Sequence, residues 1–120
     1  MDHGNPNISI DFHGPVVVAT LEDEKILDDA QLQALADSFL PLIEQNDGIQ
    51  LIIDFTKVKF LTSSVLGLLI RASKKIYEKD GTLRLCSVNP KIQEVFKITR
   101  LDKVFEMFPS WEDAMVGLKK

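Results

Sequence analysis

Short runs of branched apolar residues alternate with amphipathic, helix-like segments along most of this chain. The run at residues 50–55, QLIIDF, is apolar on consecutive positions, which is typical of a strand buried on both faces. Segments with apolar residues three and four positions apart precede and follow it. Because strand–helix–strand repeats form right-handed crossovers, we expect an α/β fold built on a mostly parallel sheet.

The remaining patterns complete a mixed sheet with about four helices packed on it. Strand-like runs at residues 8–12 and 16–21 are separated by His13, Gly14 and Pro15, which predicts an opening β-hairpin. After it, the expected elements are a helix from Asp28 to about Asn46, a strand at residues 50–55, a helix that ends before Gly81, a strand at residues 82–88, a helix capped by Asn89, a strand at residues 104–108 and a closing helix capped by Ser110.

The size and composition predict one cytoplasmic domain. A chain of 120 residues can bury one hydrophobic core, so we assign residues 1–120 to a single domain. No apolar run reaches the roughly 20 residues that span a bilayer, and the first residues, MDHGNPN, lack the features of a signal peptide. The single cysteine, Cys86, fits a small buried hydrophobe in a reducing compartment. These features predict a cytoplasmic protein without membrane association.

Charge is divided unevenly along the chain. Residues 1–56 hold 11 acidic and 1 basic side chain, whereas residues 57–120 hold 7 acidic and 13 basic ones, so the two halves carry −10 and +6. Such a division arises from solvated helix faces, or it orients a protein partner. The overall charge of −4 and the lack of a dense basic stripe argue against nucleic acid as a partner.

The residue types that carry catalysis or bind metals are not suitably spaced. His3 and His13 lack a spaced second ligand, so we expect no metal site. Neither Ser63 nor Ser64 lies in a Gly-x-Ser-x-Gly elbow, and Gly67 stands alone instead of in a phosphate-binding loop. We therefore expect no catalytic residue and no cofactor. An enzyme that uses one of these serines as its nucleophile is a third alternative, behind the two functions given below.

Three consecutive hydroxyl residues, Thr62, Ser63 and Ser64, interrupt the apolar segment FLTSSVLGLLIR. They fall where a buried strand has ended and a helix begins, and one hydroxyl there, of Thr62 or Ser63, would cap the first N–H groups of that helix. Ser64 is then surplus, and we expect it to be exposed at the C-terminal edge of the sheet. A phosphate on it would face the positive helix end and add about −1.5 to −2 charges to that surface.

Two long segments resemble the STAS domain of bacterial anti-sigma factor antagonists. They read LIIDFTKVKFLTSSVLGLLI and GTLRLCSVNPKIQEVFKITRLDKVFEMFPSWEDAM, and the resemblance extends over almost the whole chain. It implies a STAS-type fold and a role in transcription regulation through protein–protein interaction. In this family the unphosphorylated protein binds an anti-sigma factor that is also a serine kinase, which releases a sigma factor. Phosphorylation blocks the binding, and a serine phosphatase reverses it.

The resemblance also assigns roles around the hydroxyl cluster. The family pattern at the helix start, Asp-Ser-Ser-Gly-Leu-Gly or Asp-Ser-Thr-Gly-Leu-Gly, puts its phosphoacceptor on Ser64, with Ser63 as the alternative. Its aspartate falls on Thr62 and its first glycine on Val65, so these two positions depart from the pattern, whereas Gly67 matches it. All five of these residues are expected to contact the partner.

Two acidic residues, Asp23 and Asp28, are candidates for the border of the partner-binding surface, and the alternative for both is a solvated helix cap. A second function is also left open. Some STAS proteins bind without being phosphorylated, so the chain is alternatively a scaffold or adaptor subunit of a signalling or lipid-transport complex.

Overall fold

A five-stranded sheet forms the frame of the molecule, which a computed structural model describes over residues 8–118. The strands of this and a second, two-stranded sheet are β1 (Ile8–His13), β2 (Val16–Leu21), β3 (Lys25–Ile26), β4 (Gln50–Asp54), β5 (Phe60–Leu61), β6 (Thr82–Cys86) and β7 (Glu106–Phe108). The helices are α1 (Asp29–Glu44), α2 (Ser63–Glu78), α3 (Pro90–Ile98) and α4 (Trp111–Ala114), with a turn of 3₁₀ helix at Leu101–Lys103.

The main sheet has the strand order β1-β2-β4-β6-β7. β1 and β2 pair antiparallel, as the predicted hairpin requires, and the remaining neighbours pair in parallel. β4 is the middle strand, and Leu51, Ile52 and Ile53 are all 0% exposed, so both of its faces are buried. The predicted mixed, mostly parallel α/β fold is therefore confirmed.

The sheet separates a large core from a small one, because successive side chains of a strand point to opposite faces. Val17 and Ala19 of β2 face the large core, to which α1, α2 and α3 contribute their buried side chains. Val16 and Val18 face the small core with Ala114 of α4. The helices thus lie on both faces, with three of the four on one side.

Helix starts follow the capping residues seen in the sequence. Asn89 Oδ1 accepts from the Ile92 N–H over 2.9 Å at the start of α3, where Pro90 occupies the first turn. Ser110 Oγ accepts from the Asp113 N–H over 3.1 Å at the start of α4. The predicted caps of these two helices are therefore confirmed, because each side chain satisfies an N–H group that has no partner within its helix.

Three details differ from the sequence-based expectation. The closing helix has one regular turn, Trp111–Ala114, and the last two lysines lie outside the described residues. β7 begins at Glu106, because the N–H groups of Val104 and Phe105 donate to the Leu101 carbonyl of the 3₁₀ turn. The short strands β3 and β5, which the sequence did not predict, pair with each other beyond the ends of β2 and β4. Within residues 8–118, every helix is too short or too polar to cross a membrane.

Arg84 of β6 fastens α4 to the sheet. Its Nη1 donates to the carbonyls of Ala114 and Val116 over 2.7 and 2.6 Å, and its guanidinium lies 5.1 Å from the centre of the Phe108 ring. The side chain is 14% exposed, so these carbonyls satisfy a charge that is largely removed from water. This contact explains how a helix of one turn keeps its place on the second face.

Candidate functional site

The three hydroxyl residues lie at the junction between β5 and α2. Thr62 occupies the cap position of α2 with extended backbone (φ −93°, ψ 167°), but its side chain accepts no hydrogen bond from the helix. The prediction that a hydroxyl of Thr62 or Ser63 caps this helix is therefore wrong. The first turn closes through the backbone instead, since the Val65 N–H donates to the Thr62 carbonyl over 3.1 Å.

Ser63 and Ser64 are exposed in the first turn of α2, whereas the next residue is buried. Within the described part of the chain, neither serine hydroxyl has a hydrogen-bond partner. Val65 is 1% exposed and packs in the large core, which holds the turn against the body of the domain. Its side chain therefore has no surface to offer a partner in this conformation, and any contact there involves its backbone.

Backbone hydrogen bonds from the two-stranded sheet hold this junction in place. β3 and β5 run parallel. The Glu24 carbonyl accepts from the N–H groups of Lys59 and Phe60 over 2.7 and 3.1 Å, and the Ile26 carbonyl accepts from the Thr62 N–H over 3.2 Å. Because β3 follows β2 and β5 follows β4, the serines lie beyond the C-terminal ends of these parallel strands.

Gly67 leaves the backbone of α2 uncovered by a side chain beside the two serines. It follows Ser64 by three residues and Ser63 by four, so all three share one helix face, and it is exposed. A Cβ atom built on Gly67 would meet no atom within 4 Å. The glycine is therefore not required for packing α2 on the sheet, and a protein surface can approach the helix backbone closely at this point.

Asp23 and Asp28 converge on one side chain, that of Gln31. Asp28 caps α1, since its Oδ1 accepts from the Gln31 N–H over 2.8 Å and Gln31 Oε1 accepts from the Asp28 N–H over 3.2 Å. Gln31 Nε2 also donates to Asp23 Oδ2 over 3.1 Å. Both carboxylates thus order the connection from β3 to α1, on the same edge of the sheet as the serines, and their contact with a partner stays a prediction.

Sequence reasoning missed four residues that surround this junction. Leu27 and Phe60 are large apolar residues with exposures of 56% and 47%. Lys25 and Lys91 lie over the Phe60 ring. The sequence contains one signal for the exposure of Phe60, the alternation in KFLT. In an extended segment this alternation puts Phe60 and Thr62 on one face and Leu61 on the other.

The remaining chemical candidates do not come together in a site. His13 is exposed at the end of β1 with its ring centre 4.7 Å from that of Trp111, and His3 lies outside the described residues. From residue 8 to residue 118 there is no group of three or more histidine, cysteine, aspartate or glutamate side chains that could hold a metal ion. Cys86 is buried, and burial together with the charge of Asp54 raises the pKa of its thiol to about 12.

Comparison with known proteins extends over nearly the whole chain. The family model for the STAS domain matches residues 7–114. The anti-sigma F factor antagonist of Paenibacillus polymyxa is 23% identical over 115 residues, which cover 96% of this chain and 97% of that protein. Sequence similarity to a protein of this name therefore includes both the two-stranded sheet and the helix start that carries the serines.

Solved structures share the fold. An anti-sigma factor antagonist (STAS) domain protein from Planctomyces limnophilus superposes with a TM-score of 0.83 at 27% identity, covering 91% of this chain and 95% of that chain. The phosphorylated form of the Bacillus cell fate determinant SpoIIAA gives a TM-score of 0.72 at 19% identity, covering 93% of this chain and 99% of that one. The second likeness shows the fold alone.

Proposed function

This chain belongs to the STAS domain family, and on that premise we propose that it is an anti-sigma factor antagonist regulated by phosphorylation. The unphosphorylated protein binds an anti-sigma factor with serine kinase activity, which sets a sigma factor free. Transfer of phosphate to Ser64, or alternatively to Ser63, ends the binding, and a serine phosphatase restores it. The protein acts in the cytoplasm as a binding component and not as an enzyme.

One observation carries the proposal: two exposed serines without hydrogen-bond partners occupy the first turn of α2, directly before a buried residue. A kinase can reach such hydroxyls without unfolding the domain. The name of the Paenibacillus polymyxa relative, an anti-sigma F factor antagonist, supports the same partner class. A protein of the same fold, the Bacillus cell fate determinant SpoIIAA, has been solved in a phosphorylated form, so this fold is compatible with a bound phosphate group.

The geometry suggests how a phosphate would act. Its oxygens would face the first N–H groups of α2, which have no partners within the helix, so the domain can carry the added charge. Because Val65 is locked in the core, the turn has little freedom to move in response. The phosphate would therefore change the charge of the surface rather than its shape, and a partner packed against Ser64 and Gly67 would meet about two negative charges.

The acceptor is identified by phosphorylation with an anti-sigma factor kinase that binds this chain. The wild type, Ser64→Ala and Ser63→Ala are incubated with that kinase and ATP, and the modified residue is located by mass spectrometry. We expect one phosphate on the wild type and on Ser63→Ala, and none on Ser64→Ala. If mass spectrometry locates the phosphate on a residue other than Ser63 or Ser64, the proposed acceptor is wrong; if the wild type binds the kinase but gains no phosphate, the switch is wrong.

The effect on binding is measured with the same partner by titration calorimetry. Ser64→Asp puts a fixed charge at the proposed acceptor, and we expect the affinity to fall by at least about tenfold, because a charge is then placed without a partner inside an interface. Ser64→Asn is the matched control, since it has similar size and no charge. Equal affinities for the two variants would contradict a mechanism based on charge.

Thr62 favours one further candidate function. Where the family pattern has an aspartate beside the acceptor, this chain has a threonine whose side chain makes no cap hydrogen bond. A STAS scaffold or adaptor subunit, which binds without phosphorylation, needs no such carboxylate. It predicts that Ser64→Asp leaves both partner affinity and cellular behaviour unchanged, and the calorimetry described above separates the two functions.

A further inference from the structure

Two lysines lie over an exposed aromatic ring on β5, the strand that leads to the serines. Phe60 is 47% exposed on β5, and the Nζ atoms of Lys25 and Lys91 lie 5.7 and 5.9 Å from its ring centre. Among the described residues, neither lysine ammonium group has a carboxylate within 4 Å or a hydrogen-bond partner. Two exposed cations thus lie over one apolar surface, and no carboxylate of residues 8–118 forms an ion pair with either of them.

Beside this ring lies a cleft of about 400 Å³. Its lining consists of Lys59, Phe60, Asn89, Pro90 and Lys91, and we call it the basic aromatic cleft. Most of the accessible lining is apolar, and lysines stand at its rim. Lys59 Nζ lies 3.9 Å from Glu24 Oε2, and both side chains are largely exposed. Such an ion pair is weak, so Lys59 can still interact with a charge on a partner.

The walls of the basic aromatic cleft are fixed by Asn89. Its Oδ1 caps α3, while its Nδ2 donates to the carbonyls of Val58 and Lys59 over 3.1 and 3.4 Å. One side chain therefore joins the start of α3 to the segment that leads into β5. A preformed cleft of this kind can bind a partner without the entropy cost of ordering its own walls.

We infer that the basic aromatic cleft, together with the adjoining Lys25, binds an acidic, partly apolar segment of the protein partner. A carboxylate of this segment pairs with Lys25 and Lys91, and one of its apolar side chains packs on Phe60. Charge complementarity selects this chemistry, since the ammonium groups of Lys25 and Lys91 form no ion pair with any carboxylate of the described residues. Continuity supports it as well, because β5 leads directly into Thr62 and the serines, and Leu27 extends the apolar surface beside them with 56% exposure.

The inference rests on the proposed function for the identity of the partner and goes beyond it in the residues used. Nothing in the phosphorylation of Ser64 requires lysines at this place. The cleft would instead determine which partner is recognised, because a related anti-sigma factor without an acidic segment would bind the serine face but lose this second contact.

The first test compares charge reversals in calorimetry with the same anti-sigma factor that is used in the phosphorylation experiment. Lys25→Glu with Lys91→Glu should weaken binding by about tenfold or more, Phe60→Ala should weaken it similarly, and Lys25→Arg with Lys91→Arg should retain it. Lys97→Glu with Lys103→Glu changes net charge equally at exposed positions away from the cleft and should have little effect. If both reversals act alike, or neither acts while the wild type binds, the inference is overturned and the proposed function survives.

The second test does not depend on that partner. A capped heptapeptide of alternating glutamate and leucine is titrated into ¹⁵N-labelled protein, and amide shifts are followed by NMR. We expect shifts centred on Phe60 and Lys91, lost in the double reversal and absent with a lysine–leucine peptide or a glutamate–glycine peptide. Equal shifts with the glutamate–glycine peptide, or no localised shift, would refute the combined acidic and apolar recognition even if the anti-sigma factor binds elsewhere.

Discussion

Two glycines, Gly67 within α2 and Gly81 after its end, should respond in opposite directions to the same substitution. Gly67 lies in the exposed interior of the helix, and an added Cβ would meet no atom within 4 Å. Gly67→Ala therefore removes the helix penalty of glycine, about 1 kcal/mol, without creating a clash. The free energy of unfolding should rise by about that amount, which for a domain of this size raises the melting temperature by about 4 °C.

Gly81, just after α2, provides the matched control. A Cβ there would lie 2.6 Å from the Ile49 carbonyl oxygen and 2.8 Å from Cγ2 of Ile76, distances at which backbone must move. Gly81→Ala should therefore lower the free energy of unfolding by roughly 1–3 kcal/mol, the usual cost of overpacking. Urea unfolding followed by circular dichroism measures both variants, with stability obtained by linear extrapolation.

The Gly67→Ala variant also distinguishes an effect on stability from an effect on binding. If a partner packs against the bare helix at Gly67, the alanine methyl group should reduce affinity for the anti-sigma factor even though the protein has become more stable. A Gly67→Ala variant that is no more stable than the wild type would refute the description of this helix face as open. A more stable variant with unchanged affinity would remove Gly67 from the partner-binding surface.

The remaining predictions concern caps and the buried thiol. Asn89→Ala should cost about 1–2 kcal/mol in urea unfolding, since it removes the cap of α3, and it should also weaken binding of the glutamate–leucine peptide; loss of stability alone would show that Asn89 does not shape the cleft. Thr62→Asp should stabilise the protein by about 0.5–1 kcal/mol, because a carboxylate at this position can accept from the free N–H groups of α2, and unchanged urea stability would contradict this. Because burial raises the pKa of Cys86 from 9.0 to about 12, the thiol of the unfolded chain loses its proton first, and stability should fall between these pH values by at most about 1.4 kcal/mol per unit. When the free energy of unfolding is measured from pH 8 to 11, Cys86→Ala should lack this part of its decline. If wild type and variant show the same dependence on pH, the raised thiol pKa is contradicted.

Much of the fold follows from local signals in the sequence. The hairpin, the central strand β4 and the caps Asn89 and Ser110 are all encoded within a few neighbouring residues. The strands β3 and β5 are not, because each has two residues and they pair across some thirty-five positions of the chain. No periodicity develops over two residues, so the sheet that holds the serines could not be predicted locally.

The candidate site was predictable in position but not in detail. A helix start after a buried strand correctly predicted Ser64 as exposed, whereas the expected capping role of Thr62 or Ser63 was wrong. Val65 was grouped with them through the family pattern, although its spacing of four and seven residues from Leu69 and Ala72 already indicated the buried face of α2. Lys25, Phe60 and Lys91 come from three separate elements, β3, β5 and α3, and only the folded chain brings them together.

The hydrogen bonds between the segments of β3 and β5 join backbone atoms, and this affects how the sequence of such a protein can change in evolution. The carbonyls of Glu24 and Ile26 hold Lys59, Phe60 and Thr62 by their N–H groups, and none of these bonds depends on a side chain. Residues at the junction can therefore be exchanged while the frame keeps its shape. A duplicated gene could acquire a new partner by altering this surface alone, and cross-talk between paralogues would then be set by a few side chains on an unchanged backbone.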